Sequence, residues 1–235
     1  MIVIAGPCSV EGREFVDLAV RLKELGATHI RGGVYKPRSS PFRWDGLKSA
    51  AIPYLIEARD KTGLPLVVEA MSKEQAIELF PYVDIFQVGA RNATNTELLK
   101  DLGKMNKPVI IKRGMAMKIE ELIMAADYVK NEGNQNVMLC ERGIRAFETY
   151  TRNTFDLSCV VAVKQSCDLP IIADASHATG RREMVIPVLK GAIAAGADGI
   201  MVEVHQDSDN AKTDGPQSLT VEMFERLMNE MSIFN

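Results

Sequence analysis

Residues 29–41, HIRGGVYKPRSSP, gather three cations, Arg31, Lys36 and Arg38, around two glycines and two serines straight after a short apolar run. Groups of these types hold anions. A guanidinium donates paired hydrogen bonds to phosphate or carboxylate, a lysine adds a compact positive charge, and Gly32-Gly33 lets backbone N–H groups come close. On charge alone, the stretch reads first as a solvated basic turn. The distinction rests on whether further cations recur at the same structural position, and so on the elements that carry them.

Short apolar runs at residues 1–5, 28–31, 64–69, 83–88, 108–112, 137–140, 170–173 and 199–204 alternate with helical patterns, as where Phe15, Leu18, Ala19, Leu22 and Leu25 recur within 11–25 ahead of Gly26. Runs such as LVVEA, VIIK, PIIAD and GIMVEV are too uniformly apolar for a half-exposed antiparallel sheet and suit parallel strands buried on both faces. About eight βα units follow one another without a linker or a shift in composition. The expected class is therefore α/β: a single (β/α)8 TIM barrel over residues 1–235. A doubly wound open sheet is the alternative, but no GxGxxG follows the first strand to support it.

A formal net charge of −3 in a chain that is 46% apolar and 25% charged argues against nucleic acid or an anionic membrane as partner, since both need a broad basic surface. Any positive patch must be local. No apolar run reaches the roughly 18 residues of a membrane span, and no basic segment leads into a cleavable apolar stretch at the start. The expected location is cytoplasmic. Cys8, Cys140, Cys159 and Cys167 form no CxxC pair and do not resemble a disulfide framework. The last three read as packed thiols.

In a (β/α)8 barrel the reactive groups belong at the carboxyl ends of the strands. Those ends carry Cys8; Arg31 with Lys36 and Arg38; Glu69; Arg91; Lys112; Arg142; Asp174 with His177; and Glu203 with Asp214 in the loop beyond. Closure of the barrel brings strands seven, eight and one together, so Cys8, His177, Glu203 and Asp214 should converge on one wall. A thiolate, an imidazole and two carboxylates suit a divalent first-row ion, Mn2+, Zn2+, Fe2+ or Co2+, better than Ca2+. The opposite wall presents Arg31, Lys36, Arg38, Arg91, Lys112 and Arg142. Such a set calls for a highly charged anionic ligand, with more than one phosphate. His29 is given no role, His205 at most a supporting one beside Glu203, and Arg113, Arg181 and Arg182 read as rim charges.

The motifs AGPCSVE (5–11), YKPRSSP (35–41), QVGAR (87–91), IIKRG (110–114), CERGIR (140–145), SHATG (176–180), VEVH (202–205) and DGPQSL (214–219) together resemble the short microbial type (type I beta) of 3-deoxy-D-arabino-heptulosonate 7-phosphate (DAHP) synthase, almost end to end and in order. AGPCS alone is shared with the sister 3-deoxy-D-manno-octulosonate 8-phosphate synthases, which use arabinose 5-phosphate and remain the alternative. Lys36-Pro37-Arg38-Ser39-Ser40, where the sister enzymes carry an Ala-Asn-Arg version, points to the four-carbon aldose phosphate.

The resemblance implies a metal-dependent transferase that condenses phosphoenolpyruvate with erythrose 4-phosphate in the first step of the shikimate pathway, toward chorismate and the aromatic amino acids. It implies Cys8, His177, Glu203 and Asp214 as metal ligands; Arg31, Lys36, Arg91, Lys112 and Arg142 around phosphoenolpyruvate; and Arg38 with Ser39 on the phosphate of erythrose 4-phosphate. Lys36, Cys8 and His177 are the expected catalytic residues, with proton movement assigned either to Lys36 or to a water assisted by His205 or Glu69. It also favours a homodimer or homotetramer. Because the chain starts almost at the first strand, control by aromatic amino acids through a regulatory extension is not expected.

Overall fold

The chain is described by a computed structural model covering residues 1–37, 40 and 42–231. Eight strands, β1 (Ile2–Gly6), β2 (His29–Arg31), β3 (Leu66–Glu69), β4 (Ile85–Val88), β5 (Val109–Lys112), β6 (Val137–Glu141), β7 (Ile171–Ala173) and β8 (Gly199–Glu203), pair in parallel in chain order and close into a barrel. The closing pair is the longest in register, running from Ile2 opposite Gly199 to Gly6 opposite Glu203. That register delivers the chain after β1 beside the end of β8. Parallel strands require crossovers, supplied here by α1 (Glu14–Glu24), α2 (Ile52–Thr62), α3 (Lys73–Leu79), α4 (Thr96–Lys104), α5 (Ile119–Asn131) and α6 (Leu157–Ser166). A short α7 (Ala175–Thr179) precedes α8 (Arg182–Ala194), and α9 (Val221–Met231) closes the described chain.

The helices begin where short polar side chains satisfy free N–H groups. Ser72, Asn95, Asp156 and Asp174 accept from the backbone N–H groups of Gln75, Leu98, Cys159 and His177, starting α3, α4, α6 and α7. The first helix starts at Glu14, later than the apolar pattern suggests, and Glu11 ahead of it accepts from the Lys212 backbone N–H at 2.9 Å.

Two apolar cores result from the period of two along each strand. Ile4, Val67, Ile85, Ile110, Cys140, Ile172 and Met201, one from each strand but β2, fill the barrel axis. Ile2 and Met138 pack on that cluster from the amino-terminal side and plug the mouth. Side chains of the other parity, among them Val3, Val68, Phe86, Ile111, Leu139 and Val202, join the helix faces in the outer core. Each large side chain fully buried in this way contributes about 1.5–3 kcal/mol. Among the described residues no helix is long and apolar enough to cross a membrane.

Candidate active site

The same alternation selects the side chains above the barrel plug. Two residues beyond Val67, Ile85, Ile110, Cys140, Ile172 and Met201 stand Glu69, Gln87, Lys112, Arg142, Asp174 and Glu203, which therefore share the inward parity and crown the carboxyl-terminal mouth. Over them lies a cavity of about 420 Å³, lined by Arg31, Lys36, Glu69, Gln87, Arg91, Lys112, Arg142, Arg152, His177 and Asp214 with a few neighbours. Gly89 belongs to this lining for a steric reason, since a Cβ there would fall 2.0 Å from Glu69 Oε1.

The four expected metal donors come together where His177 and Asp214 line the cavity, with Cys8 and Glu203 buried behind them. A ligand atom from each of Cys8, His177, Glu203 and Asp214 lies within 4.8 Å of the others. Cys8 Sγ donates to Asp214 Oδ2 at 2.9 Å, and His177 Nε2 stands 3.2 Å from Glu203 Oε1 and 4.0 Å from Asp214 Oδ2. Local structure sets each position. The Ser9 and Thr213 hydroxyls bond at 2.7 Å and tie the Cys8 loop to the Asp214 loop. Asp214 itself takes the left-handed conformation (φ 53°, ψ 26°), which Asp tolerates better than most residues. Gly33 allows Cys8 O to approach, because a Cβ there would sit 2.6 Å from it.

Donors this close match a single ion with bonds of about 2.0–2.3 Å. An unsatisfied group points the same way: Glu203 Oε1, turned toward His177 Nε2, is buried without a hydrogen-bond partner. Burial pushes the Cys8 thiol up to about 12, with Glu203 and Asp214 adding to the rise against Lys36 and Arg31. Burial likewise lowers His177 against the pull of Asp174 and Glu203, which keeps the imidazole neutral and able to coordinate. Asp214 is held below the usual carboxylate range despite its burial, by His177, the Cys8 hydrogen bond and Arg152. The chemistry of the set fits a divalent transition ion.

The cations are less separate from this wall than the sequence suggests. Arg31 Nη1 faces Glu203 Oε1 at 3.4 Å, Lys36 Nζ donates to Cys8 Sγ at 2.8 Å and to Cys8 O at 3.0 Å, and Lys112 Nζ pairs with Asp174 Oδ2 at 2.6 Å. These three are thus partly compensated from within. Among the described residues Arg91 and Arg142 make no ion pair; Arg142 donates to the carbonyls of Gly143 and His177 at 3.2 and 3.1 Å. Burial pushes Arg142 down from its ordinary value, with Asp174 opposing. Arg38 and Ser39 lie outside the described residues.

Several participants have no role assigned from the sequence, although Asp174 stands among the polar strand ends and Gln217 within DGPQSL. Asp174 is fully buried, caps α7 through Oδ1 and sets Oδ2 2.8 Å from His177 Nδ1 as well as against Lys112. His177, Lys112 and Arg31 hold its carboxyl well below the ordinary range, although burial opposes them. It joins the two walls. Arg152, from the loop after β6, reaches Asp214 Oδ1 at 3.1 Å, and Gln217 donates to Glu203 Oε2.

Two expectations are corrected. Arg113 is no rim charge: directly after β5 it keeps the outward parity, is 4% exposed, and pairs with Glu141 at 2.9 Å and Asp156 at 2.8 Å. His205 does not support Glu203; its Nε2 faces Glu11 at 3.8 Å, and its Nδ1 accepts from the Asp207 N–H. The His29 ring bonds to the Thr28 hydroxyl beside it and is not among the residues that line the cavity.

With this geometry in hand, comparison with known proteins is specific. Residues 1–234 match the family described as the DAHP synthetase I family. The chain is 50% identical over 230 residues to the phospho-2-dehydro-3-deoxyheptonate aldolase of Thermotoga maritima, spanning 97% of this chain and 68% of that one. It is 30% identical over 252 residues to the 2-dehydro-3-deoxyphosphooctonate aldolase of Bradyrhizobium diazoefficiens, spanning 99% of this chain and 89% of the relative. The crystal structure of the Thermotoga maritima DAHP synthase superposes with a TM-score of 0.96 at 49% identity, over 99% of this chain and 68% of that chain.

Proposed function

The chain belongs to the DAHP synthetase I family, and from that premise we propose that it condenses phosphoenolpyruvate with erythrose 4-phosphate and water to give DAHP and inorganic phosphate, the first step of the shikimate pathway. The observation that carries this reading is the meeting of a four-donor ion site and a cationic wall in one cavity at the barrel mouth.

In this reading Arg31, Lys36, Arg91, Lys112 and Arg142 hold the phosphate and carboxylate of phosphoenolpyruvate, with Arg91 and Arg142 supplying guanidinium groups that no ion pair among the described residues engages. Arg38 and Ser39 take the phosphate of erythrose 4-phosphate. Cys8, His177, Glu203 and Asp214 would hold Mn2+, Zn2+, Fe2+ or Co2+, and the ion, when bound, supplies Lewis-acid polarisation of the aldehyde oxygen.

The side chains do the rest. Fixing the enol phosphate against its wall presents carbon three to the aldehyde and removes the entropy of a bimolecular encounter. Carbon three bonds to the aldehyde carbon, water adds at carbon two, and the hemiketal phosphate loses inorganic phosphate by C–O cleavage. The new hydroxyl needs a proton, and the Lys36 ammonium, placed between the two walls by its contacts to Cys8, is the donor at hand.

The same reading takes residues 1–235 as one catalytic barrel working in the cytoplasm. It assembles as a homodimer or homotetramer through exposed apolar side chains such as Ile77, Phe80, Met124 and Tyr128.

Phosphate release tests the proposal, with phosphoenolpyruvate offered alongside erythrose 4-phosphate or arabinose 5-phosphate, each with and without a chelator. The expected result is turnover with erythrose 4-phosphate that the chelator abolishes and a divalent ion restores. Preference for arabinose 5-phosphate would move the chain to the sister activity.

A further inference from the structure

Each carboxylate of the four-donor set has one oxygen turned toward the other donors and one turned away. Asp214 Oδ2 meets Cys8 Sγ, whereas Oδ1 accepts from Arg152 Nη1 at 3.1 Å. Glu203 Oε1 faces His177, whereas Oε2 accepts from Gln217 Nε2. The two outward oxygens are joined, because Arg152 Nη1 also donates to Gln217 Oε1 at 2.9 Å. Chemistry fixes the sense of this chain: an arginine can only donate and an ionised carboxylate only accept, so Gln217 must turn its carbonyl to Arg152 and its amide to Glu203.

The segment that carries Arg152 also grips the third ligand. Arg152 N donates to Thr179 O at 2.9 Å, Asn153 N to Ala178 O at 2.7 Å, and Asn153 Nδ2 to His177 O at 3.1 Å, so the loop lies along α7 beneath His177.

We propose that Arg152 and Gln217 are positioning residues for the ion site: a clasp that occupies the outward oxygens of Asp214 and Glu203 and leaves each carboxylate one oxygen for a divalent cation. The inference rests on the reading of Cys8, His177, Glu203 and Asp214 as the ligands. Without the clasp both carboxylates are free to rotate, to bind through both oxygens, or to turn toward Arg31 and Lys36. Supports of this kind typically change metal affinity 10–100-fold.

Zn2+ titration of the ion-free protein against a chromophoric chelator tests this, with the Co2+ absorption spectrum as a second readout. The Arg152 side chain is 40% exposed, so Arg152→Met should leave the barrel folded. The expectation is one tight Zn2+ in the wild type, a 10–100-fold weaker site in Arg152→Met and in Gln217→Leu, and a changed Co2+ spectrum in both. The double variant should lose less than the product of the single losses, because the two residues act along one chain of bonds. Wild-type affinity and an unaltered Co2+ spectrum in Arg152→Met would overturn the clasp and leave the ligand set standing. No Zn2+ bound by the wild type would instead overturn the ligand set itself.

Discussion

Asp174 joins the ion wall to the anion wall, so Asp174→Asn should damage both. In the native site both oxygens only accept: Oδ1 from the His177 backbone N–H at 3.1 Å, and Oδ2 from Lys112 Nζ at 2.6 Å, with His177 Nδ1 2.8 Å away. An asparagine offers one accepting oxygen and one donating amide. Whichever way it turns, a donor meets a donor, and the buried Lys112 ammonium loses its counter-charge. Removing one partner of a buried ion pair costs about 3–5 kcal/mol. In a chain of this length each kcal/mol lowers Tm by about 2–4 °C, so thermal unfolding should shift down by about 6–20 °C. Calorimetry of the ion-free protein measures the shift without involving the ion. Asp174→Asn/Lys112→Met removes both charges and should recover at least half of the loss. A single variant costing under about 1 kcal/mol, or a double variant no better than the single, would refute the reasoning.

Replacing Lys36 with Met should lower kcat by about 10²–10⁴ if its ammonium delivers the proton; a change confined to KM would make it a binding group only. Arg38→Ala should chiefly raise KM for erythrose 4-phosphate, and an equal rise for phosphoenolpyruvate would show the two substrates to be placed the wrong way round. The free Cys8 thiol, held up to about 12 by burial and by Glu203 and Asp214, must lose its proton to bind an ion. Ion affinity should therefore rise with pH, by about tenfold per unit between pH 7 and 9. A pH-independent Zn2+ affinity in that range would remove Cys8 from the ligand set.

The barrel was legible because uniformly apolar runs can sit only in parallel strands covered on both faces, and the strand count then fixes which chain ends meet. Cys8 and Asp214, 206 residues apart, follow strands that this closure sets side by side. Residues whose part depends on side-chain parity were less legible. Lys112 and Arg113 are adjacent cations, and only the register of β5 sends one to the cavity and the other to Glu141 and Asp156. Counting by twos from Ile110 would have separated them. Asp174 looked like one more polar strand end, and nothing in its type showed that it touches both Lys112 and His177. Arg152 and Gln217 act through loop conformation, which carries no periodicity to read.

The central claim is that ion and phosphoenolpyruvate share one cavity, the ion on Cys8, His177, Glu203 and Asp214 and the anion on the cations opposite. It is tested most directly by the 31P relaxation of bound phosphoenolpyruvate with one equivalent of Mn2+, in the wild type and in Cys8→Ala. Strong paramagnetic enhancement in the wild type, lost in Cys8→Ala while phosphoenolpyruvate still binds, is the predicted result. Binding of both ligands with no enhancement would contradict it.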